Sequence, residues 1–275
     1  MEWRTLITRL SSRILMNALI LAAGYATRLY PLTLNKAKPL LEVAGKPIIE
    51  WLLDNLAPVP DLETAYIVTN DKFASDFQAW ADQYQHRAPP NGAGSRPLWE
   101  SRLKIINDGS KSDDDKLGAI GDINLALTRE NLATSDLLIA AGDNLFNEPL
   151  AEFVQYARGA PATIAVHDVA NLDAMKKYGC ITTDAQGTII HFEEKPDKPQ
   201  STLAAIALYY YSADVLPLFT TYLAAGNNPD PPGLFVQWLY TRKPVKTFKL
   251  KGKWLDIGSK ETLEQANAIF GKIKT

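Results

Sequence analysis

Two cations and a run of small residues stand together near the start of the chain. Leu21-Ala22-Ala23-Gly24-Tyr25-Ala26-Thr27-Arg28-Leu29 continues to Pro31, Thr33, Lys38-Pro39-Leu40-Leu41 and Gly45-Lys46-Pro47. The run follows an apolar stretch, 18–22, that reads as a buried strand. A loop of small residues beyond the carboxyl end of a strand lets backbone N–H groups approach a phosphate chain. Arg28 and Lys38 bring two positive charges to the same place. A triphosphate carries about four negative charges, so two cations plus a metal ion approach neutrality where one cation would not. Small residues alone would equally make a tight turn, and the string is neither the Walker pattern nor the dinucleotide fingerprint.

Other charged groups lie at the ends of apolar runs. Asp143, in Gly142-Asp143-Asn144, follows the apolar run 136–141. Asp256, in Trp254-Leu255-Asp256-Ile257-Gly258, precedes the last helical stretch. Read alone, the first is a turn former and the second a helix cap. Glu193-Glu194-Lys195-Pro196 reads alone as a solvated strand end that Pro196 closes, and Tyr178-Gly179 as a strand entry. Gly118-Ala119-Ile120-Gly121-Asp122 opens a helix after Lys104-Ile105-Ile106-Asn107-Asp108-Gly109, and 112–115 reads as a solvated acidic loop. His86, His167 and His191 show no metal-ligand spacing, and no Gly-x-Ser-x-Gly elbow is present. Cys180 is the single cysteine, which excludes an intramolecular disulfide or a thiolate zinc site; it reads as a packed thiol.

Periodicity predicts the elements that must hold these groups. Helical spacing covers 46–56, 72–84, 120–132 and 150–156, and strand patterns cover 64–69, 103–106, 136–141 and 162–166. This alternation predicts a mainly parallel sheet with helices on both faces. Beyond about residue 165 the pattern turns β-rich, with a hairpin at 181–192 turning on 184–187 and strands at 203–211 and 245–250. Helices are expected at 216–224, 235–241 and 260–270, and Tyr209, Tyr210 and Tyr211 read as core. The expected fold class is α/β: a Rossmann-like three-layer α/β/α sandwich with a mainly parallel mixed sheet and a β-rich C-terminal part. No internal repeat is visible.

Composition narrows the function. With 275 residues and 46% hydrophobic content the chain can bury a large core. Lys plus Arg is 29 against 31 Asp plus Glu, a net charge of −2, so no nucleic-acid partner is expected and anions must be held by local clusters. No run is long enough to span a membrane, and a cytoplasmic setting fits. Residues 1–15, with Arg4, Arg9 and Arg13 among Leu and Ile, read as an N-terminal extension. They suit a short amphipathic helix, a membrane-surface helix or a start-site artefact, and the domain is expected to begin at Met16. The Pro/Gly-rich stretch 86–97 reads as a surface loop within one domain.

In their order, Gly-x-x-Thr-Arg-Leu-x-Pro-x-Thr, Lys-Pro-Leu-Leu, Gly-Lys-Pro, Gly-Asp-Asn, Glu-Glu-Lys-Pro and Trp-x-Asp resemble the nucleotide-sugar pyrophosphorylases, such as glucose-1-phosphate thymidylyltransferase. The likeness covers most of 16–270. It implies a nucleotidyltransferase domain over 16–275, with a nucleotide-binding part over about 16–165 and a sugar-phosphate-binding part over about 166–275. The implied reaction joins an NTP, with dTTP or UTP favoured, to a sugar 1-phosphate and releases pyrophosphate.

The resemblance also implies roles. Arg28, Lys38, Asp143 and Lys195 would be catalytic. Ala22, Ala23, Gly24, Tyr25, Ala26, Thr27, Asn107 and Gly118 would bind the nucleotide. Gly179, Glu194 and Lys195 would hold the sugar phosphate. Asp143 and Asp256 would ligate Mg2+. Three departures stand out: Ala26 where the family has a second glycine, Ile206-Ala207 where it shows Thr-Gly, and no match in 226–233 for an arginine that touches the sugar phosphate. Two rivals remain open at this point. One is a silent regulatory subunit that binds a nucleotide sugar; the other is a cytidylyltransferase for phosphocholine-like acceptors, with the tyrosines as an aromatic cage. The sequence is compatible with a homo-oligomer.

Overall fold

Strand β1 (Met16–Leu21) is buried on both faces, and its alternation sets the layers. Ala18 and Ile20 face α1 (Ile48–Leu56), α2 (Ala74–Tyr84) and α4 (Ala151–Ala157). Leu19 faces α3 (Ala119–Arg129), α6 (Pro217–Ala224) and α7 (Gly233–Leu239). The result is a three-layer α/β/α sandwich. A computed structural model describes residues 15–87 and 99–272. The proposed extension up to residue 14 and residues 88–97 of the Pro/Gly-rich loop lie outside the described residues. Among the described residues no helix is long and apolar enough to cross a membrane.

Among the described residues the sheet has nine strands. β1 pairs in parallel with β4 (Leu62–Thr69) and β6 (Asp136–Ala141), and β4 pairs in parallel with β5 (Leu103–Asn107). β11 (Leu203–Tyr211) then runs antiparallel to three neighbours. On one edge it pairs with β8 (Ala162–Asp168), which in turn pairs in parallel with β12 (Val245–Lys249). On its other edge Leu208 to Tyr211 pair with β6, while Ala204 and Ala205 pair with β9 (Gly179–Thr183). Residues 206–207 fall between, so a notch opens on that edge just past the carboxyl end of β6. β9 and β10 (Ile189–Glu194) form the predicted hairpin, with the Asp184 carboxylate accepting from the Gln186 and Thr188 N–H groups.

Two ribbons depart from the sequence reading. Lys46 and Pro47 do not begin α1; they are β3, paired with β2 (Glu42–Val43) across Ala44 and Gly45, both at positive φ. More consequential is β7 (Asn144–Phe146), which pairs antiparallel with β13 (Trp254–Asp256). The helix expected over 120–132 stops at Arg129, and Asn131 turns left-handed before a short 3-10 turn. α8 (Lys260–Phe270) starts at a capping box made by Ser259 and Thr262, so Asp256 is not its cap. Between β8 and β9 lies α5 (Leu172–Met175), capped by the Asn171 side chain.

Tyr210 is fully buried on β11, and its hydroxyl donates to Asp136, which also accepts from the Ala213 N–H at 3.1 Å. Tyr210→Phe leaves a buried carboxylate oxygen short of a donor, so urea denaturation should show a loss of about 1–3 kcal/mol. Substrate KM values should be unchanged.

Candidate active site

Where chain segments end, the charged groups gather. The Gly24 loop leaves β1 with Ala22 still hydrogen-bonded to Val68, and Gly142 donates to the Leu21 carbonyl as β6 ends alongside. Ala26 adopts a left-handed conformation, φ 50°, just before the 3-10 turn that carries Arg28. The loop therefore keeps the bend that a glycine would take freely, at about 1–2 kcal/mol for an L-residue. Its carbonyl accepts from the Thr33 hydroxyl at 2.8 Å. A second 3-10 turn, Lys38–Leu40, points the Lys38 ammonium at Asp143 and at the Ile257 carbonyl.

The β7–β13 ribbon brings Asp143 and Asp256 together. Asp256 stands opposite Asn144, and the Ile257 N–H donates to the Asp143 carbonyl at 3.2 Å. Burial, then the Asp143 charge, pushes the Asp256 carboxyl up to about 6, against the pull of Lys38, Arg28 and Lys195. Lys38 is drawn down by burial, but Asp143, with Asp256 behind it, outweighs that loss and leaves its pKa raised, so the ammonium stays charged. Arg28, Lys38, Asp143, Lys195 and Asp256 thus lie within electrostatic reach in one region.

Two adjoining hollows meet at Leu21 and Asp143. The smaller, about 90 Å³, is lined by Ala22, Gly24, Ala26 and Lys38. The larger, about 380 Å³, opens at the notch of β11 and is lined by Ala205, Ala207 and Tyr209 together with Gly179, Glu194, Lys195, Trp254 and Asp256. Two close approaches shape it. A Cβ on Gly179 would stand 2.6 Å from the Phe192 ring, and one on Gly233 would overlap the Glu194 carboxylate. Glu194 is pushed up by burial, partly countered by Lys195. Its N–H donates to Gln237 at 3.0 Å, which ties β10 to α7.

Not all the residues singled out in the sequence face these hollows. Tyr25 is buried, and its hydroxyl donates to the Ser110 carbonyl at 3.0 Å. Ala23 and Thr27 belong to the loop without lining either hollow. Asn107 ends β5 outside the lining, its carboxamide engaged by Asp71 at 2.7 Å and the Gly109 N–H at 2.8 Å. Gly118, at φ +76°, packs on residue 229: a Cβ there would lie 2.7 Å from the Pro229 carbonyl. Its neighbour Ala119 lines the cleft beside Asp230.

Lining residues that the sequence reading did not name as site residues include Tyr209, Asp230, Asn144 and Lys177. Tyr209 looked like core because it sits in an apolar run, yet it borders the notch. Its pKa is raised by burial and by Glu194. The Lys176-Lys177 pair directly before Tyr178-Gly179 was the available signal for Lys177.

A model of the nucleotidyl transferase family matches residues 17–272. Two proteins described as bifunctional protein GlmU are similar over 261 residues each. That of Methanocaldococcus jannaschii is 25% identical and that of Methanococcus aeolicus 28%. Each match covers 94% of this chain but only 56% of the relative, so the chain spans about half the length of these relatives. Among solved structures, an apo UDP-glucose pyrophosphorylase superposes with TM-score 0.76 at 23% identity, covering 95% of this chain and all of that one. A UDP-glucose pyrophosphorylase complexed with UDP-glucose gives TM-score 0.75 at 23% identity, covering 94% and 99%. These structural likenesses establish the fold.

Behind the cleft, Asp122 on α3 is buried, and one of its carboxylate oxygens has no hydrogen-bond partner. Burial, then the neighbouring Asp108 carboxylate, pushes it up to about 8 from 3.8, with Asp230 adding to the shift. The folded state therefore holds a proton that the unfolded state loses above its ordinary value. Stability should decline as pH rises from about 4 to about 8. In Asp122→Asn that component disappears, so thermal melting from pH 5 to pH 9 should show the variant gaining a few degrees in Tm relative to wild type.

Proposed function

The chain belongs to the nucleotidyl transferase family, and from that premise we propose that it transfers a nucleoside monophosphate from an NTP to a sugar 1-phosphate, releasing pyrophosphate. The observation that carries this reading is the junction of the two hollows at Asp143. A small pocket with Lys38 meets a cleft with Lys195 and Glu194; Asp143 lines both, and Asp256 lines the cleft beside it. That layout suits two anionic substrates brought end to end.

The chemistry asks for positioning and charge neutralisation. The attacking oxygen of a sugar 1-phosphate is already anionic, so no general base is needed. Arg28 and Lys38, with the Ala22–Ala26 backbone, would hold the triphosphate and stabilise departing pyrophosphate. Lys195 would hold the incoming phosphate, and Glu194, with the Tyr209 hydroxyl, would accept or donate hydrogen bonds to sugar hydroxyls. Gly118 and Ala119 would border the nucleoside. With its carboxamide already engaged, Asn107 would support the base end through the 107–110 turn.

The residues present fit a hard divalent cation. Asp143 and Asp256 are two carboxylates whose mutual repulsion helps to raise one of them to about 6, and Mg2+ commonly takes one or two protein carboxylates with phosphate and water completing its shell. Among the described residues no group of three or more His, Cys, Asp or Glu is arranged to hold a metal. When bound, Mg2+ would neutralise phosphate charge between the two substrates.

A matrix of NTPs against sugar 1-phosphates, with pyrophosphate detection and Mg2+ present, tests this reading; UTP and dTTP are the expected donors. Phosphocholine belongs in the matrix, because Tyr178 and Trp254, with ring centroids 5.4 Å apart, form an aromatic wall at the cleft. Asp143→Asn and Lys195→Ala should each lose about a hundred- to a thousandfold in rate. Wild type that binds a nucleotide sugar yet releases no pyrophosphate would identify a regulatory subunit instead.

A further inference from the structure

A sugar 1-phosphate is close to a dianion, and the cleft proposed to receive it shows one cation from the sequence motifs, Lys195. The wall formed by 226–233, Gly-Asn-Asn-Pro-Asp-Pro-Pro-Gly, offers no lysine or arginine. It presents an anion instead: Asp230 lines the cleft, held by Lys116 at 3.2 Å and lying 3.5 Å from the Ala119 N–H. Lys116 is itself paired with Asp230 and Asp113, so this wall supplies a phosphate with no unpaired cation. Lys38 lines the other hollow, where Asp143 already engages it, and Arg28 lines neither hollow.

Lys177 lines the same cleft as Lys195. The two emerge from adjoining backbone. Lys177 sits on the turn after α5, its N–H donating to the Ala174 carbonyl at 3.2 Å, and the Lys195 N–H donates to the carbonyl of the next residue, Tyr178, at 3.1 Å. Lys195 is held left-handed at φ 48°, which turns the chain at this rim. Of the Lys176-Lys177 pair, Lys176 is spent on Asp173 at 3.0 Å. Among the described residues no carboxylate pairs with Lys177, while the one partner of Lys195, Glu194, is as far as 4.0 Å.

We propose that Lys177 is the second phosphate-binding cation of the acceptor site, clamping the phosphate of the sugar 1-phosphate together with Lys195. The inference rests on the proposed function and adds a specificity element to it. The phosphate lies at the Lys177–Lys195 rim, and the hydroxyl-bearing part of the acceptor lies toward Glu194 and Asp230. A neutral acceptor would gain nothing from this arrangement.

Steady-state pyrophosphate release with UTP, glucose 1-phosphate and Mg2+ tests it on the full chain, using wild type, Lys177→Ala, Lys177→Arg and Lys176→Ala. A charged hydrogen bond is worth about 1.5–3 kcal/mol, so Lys177→Ala should raise the KM for glucose 1-phosphate about ten- to a hundredfold. The KM for UTP should stay within about twofold, and Lys177→Arg should restore most of the loss. Lys176→Ala should behave as wild type. An active wild type whose Lys177→Ala variant keeps its glucose 1-phosphate KM overturns the assignment and leaves the proposed function standing. So does a variant in which both KM values rise together without rescue by arginine. A wild type inactive across the whole substrate matrix overturns both.

Discussion

The Lys38 ammonium sits between the Asp143 carboxylate and the Ile257 carbonyl, and this contact joins the loop after β1 to the ribbon of β7 and β13. Neither partner would be stable there alone, since a buried lysine tends to lose its proton and a buried carboxylate to gain one. Here the Asp143 carboxylate more than offsets the cost that burial puts on the Lys38 ammonium, and Lys38 keeps its charge. Around the pair, apolar packing does the holding: Leu29, Leu41, Leu145 and Ile257 belong to one small cluster with α8. Leu29 and Ile257 are the direct chain neighbours of Arg28 and Asp256, and Leu145 lies two residues from Asp143. The cluster therefore fixes three charged side chains, Arg28, Asp143 and Asp256, by anchoring residues close to them in the chain. Burial first, and then the nearby Asp143 charge, push the Asp256 carboxyl up to about 6.

Space in the larger cleft is made by what is missing. β11 outruns β6, and the gap before β9 leaves residues 206–207 unpaired on that edge. Ala205 and Ala207 give a floor without bulk, while Gly179 and Gly233 let strand and helix close on Glu194. The same absence of Cβ at Gly118 lets residue 229 seat against the start of α3, where the Ile120 N–H donates to the Pro229 carbonyl at 2.8 Å. One segment, 229–233, therefore touches both the end proposed for the nucleoside and the end proposed for the sugar.

Much of this was legible in the sequence because it is local. The apolar runs of β1, β4 and β6 and the helical spacing of α1 to α4 follow from period alone, and the motif residues lie at the ends of those runs. The β7–β13 ribbon was not legible: each strand is three residues long, too short to carry a period, and its pairing spans more than a hundred residues. Yet that ribbon makes Asp143 and Asp256 neighbours. Tyr209 was misleading for the opposite reason, since an apolar run gives no hint that its partner strand stops early. Asn107 has the right chemistry for a base edge, but Asp71 and Gly109 satisfy its carboxamide, and those contacts depend on a turn that sequence spacing does not fix.

Two non-glycine residues take left-handed conformations at the two places proposed to meet phosphate, Ala26 at φ 50° and Lys195 at φ 48°. Each costs about 1–2 kcal/mol, which surrounding structure must offset. At Ala26 the offset comes from the Thr33 hydroxyl and the 3-10 turn that follows. At Lys195 it comes from the hydrogen bond to Tyr178. The two sites differ in what a glycine would do. At position 26 it would relax the backbone and change no charge, so what Ala26 keeps is the bend. At position 195 it would relax the backbone and delete the ammonium. A chain that keeps a strained lysine where a glycine would fold more easily is accepting backbone cost to place a positive charge on a turn. On the proposed function, the anion that this charge meets is the phosphate of the acceptor.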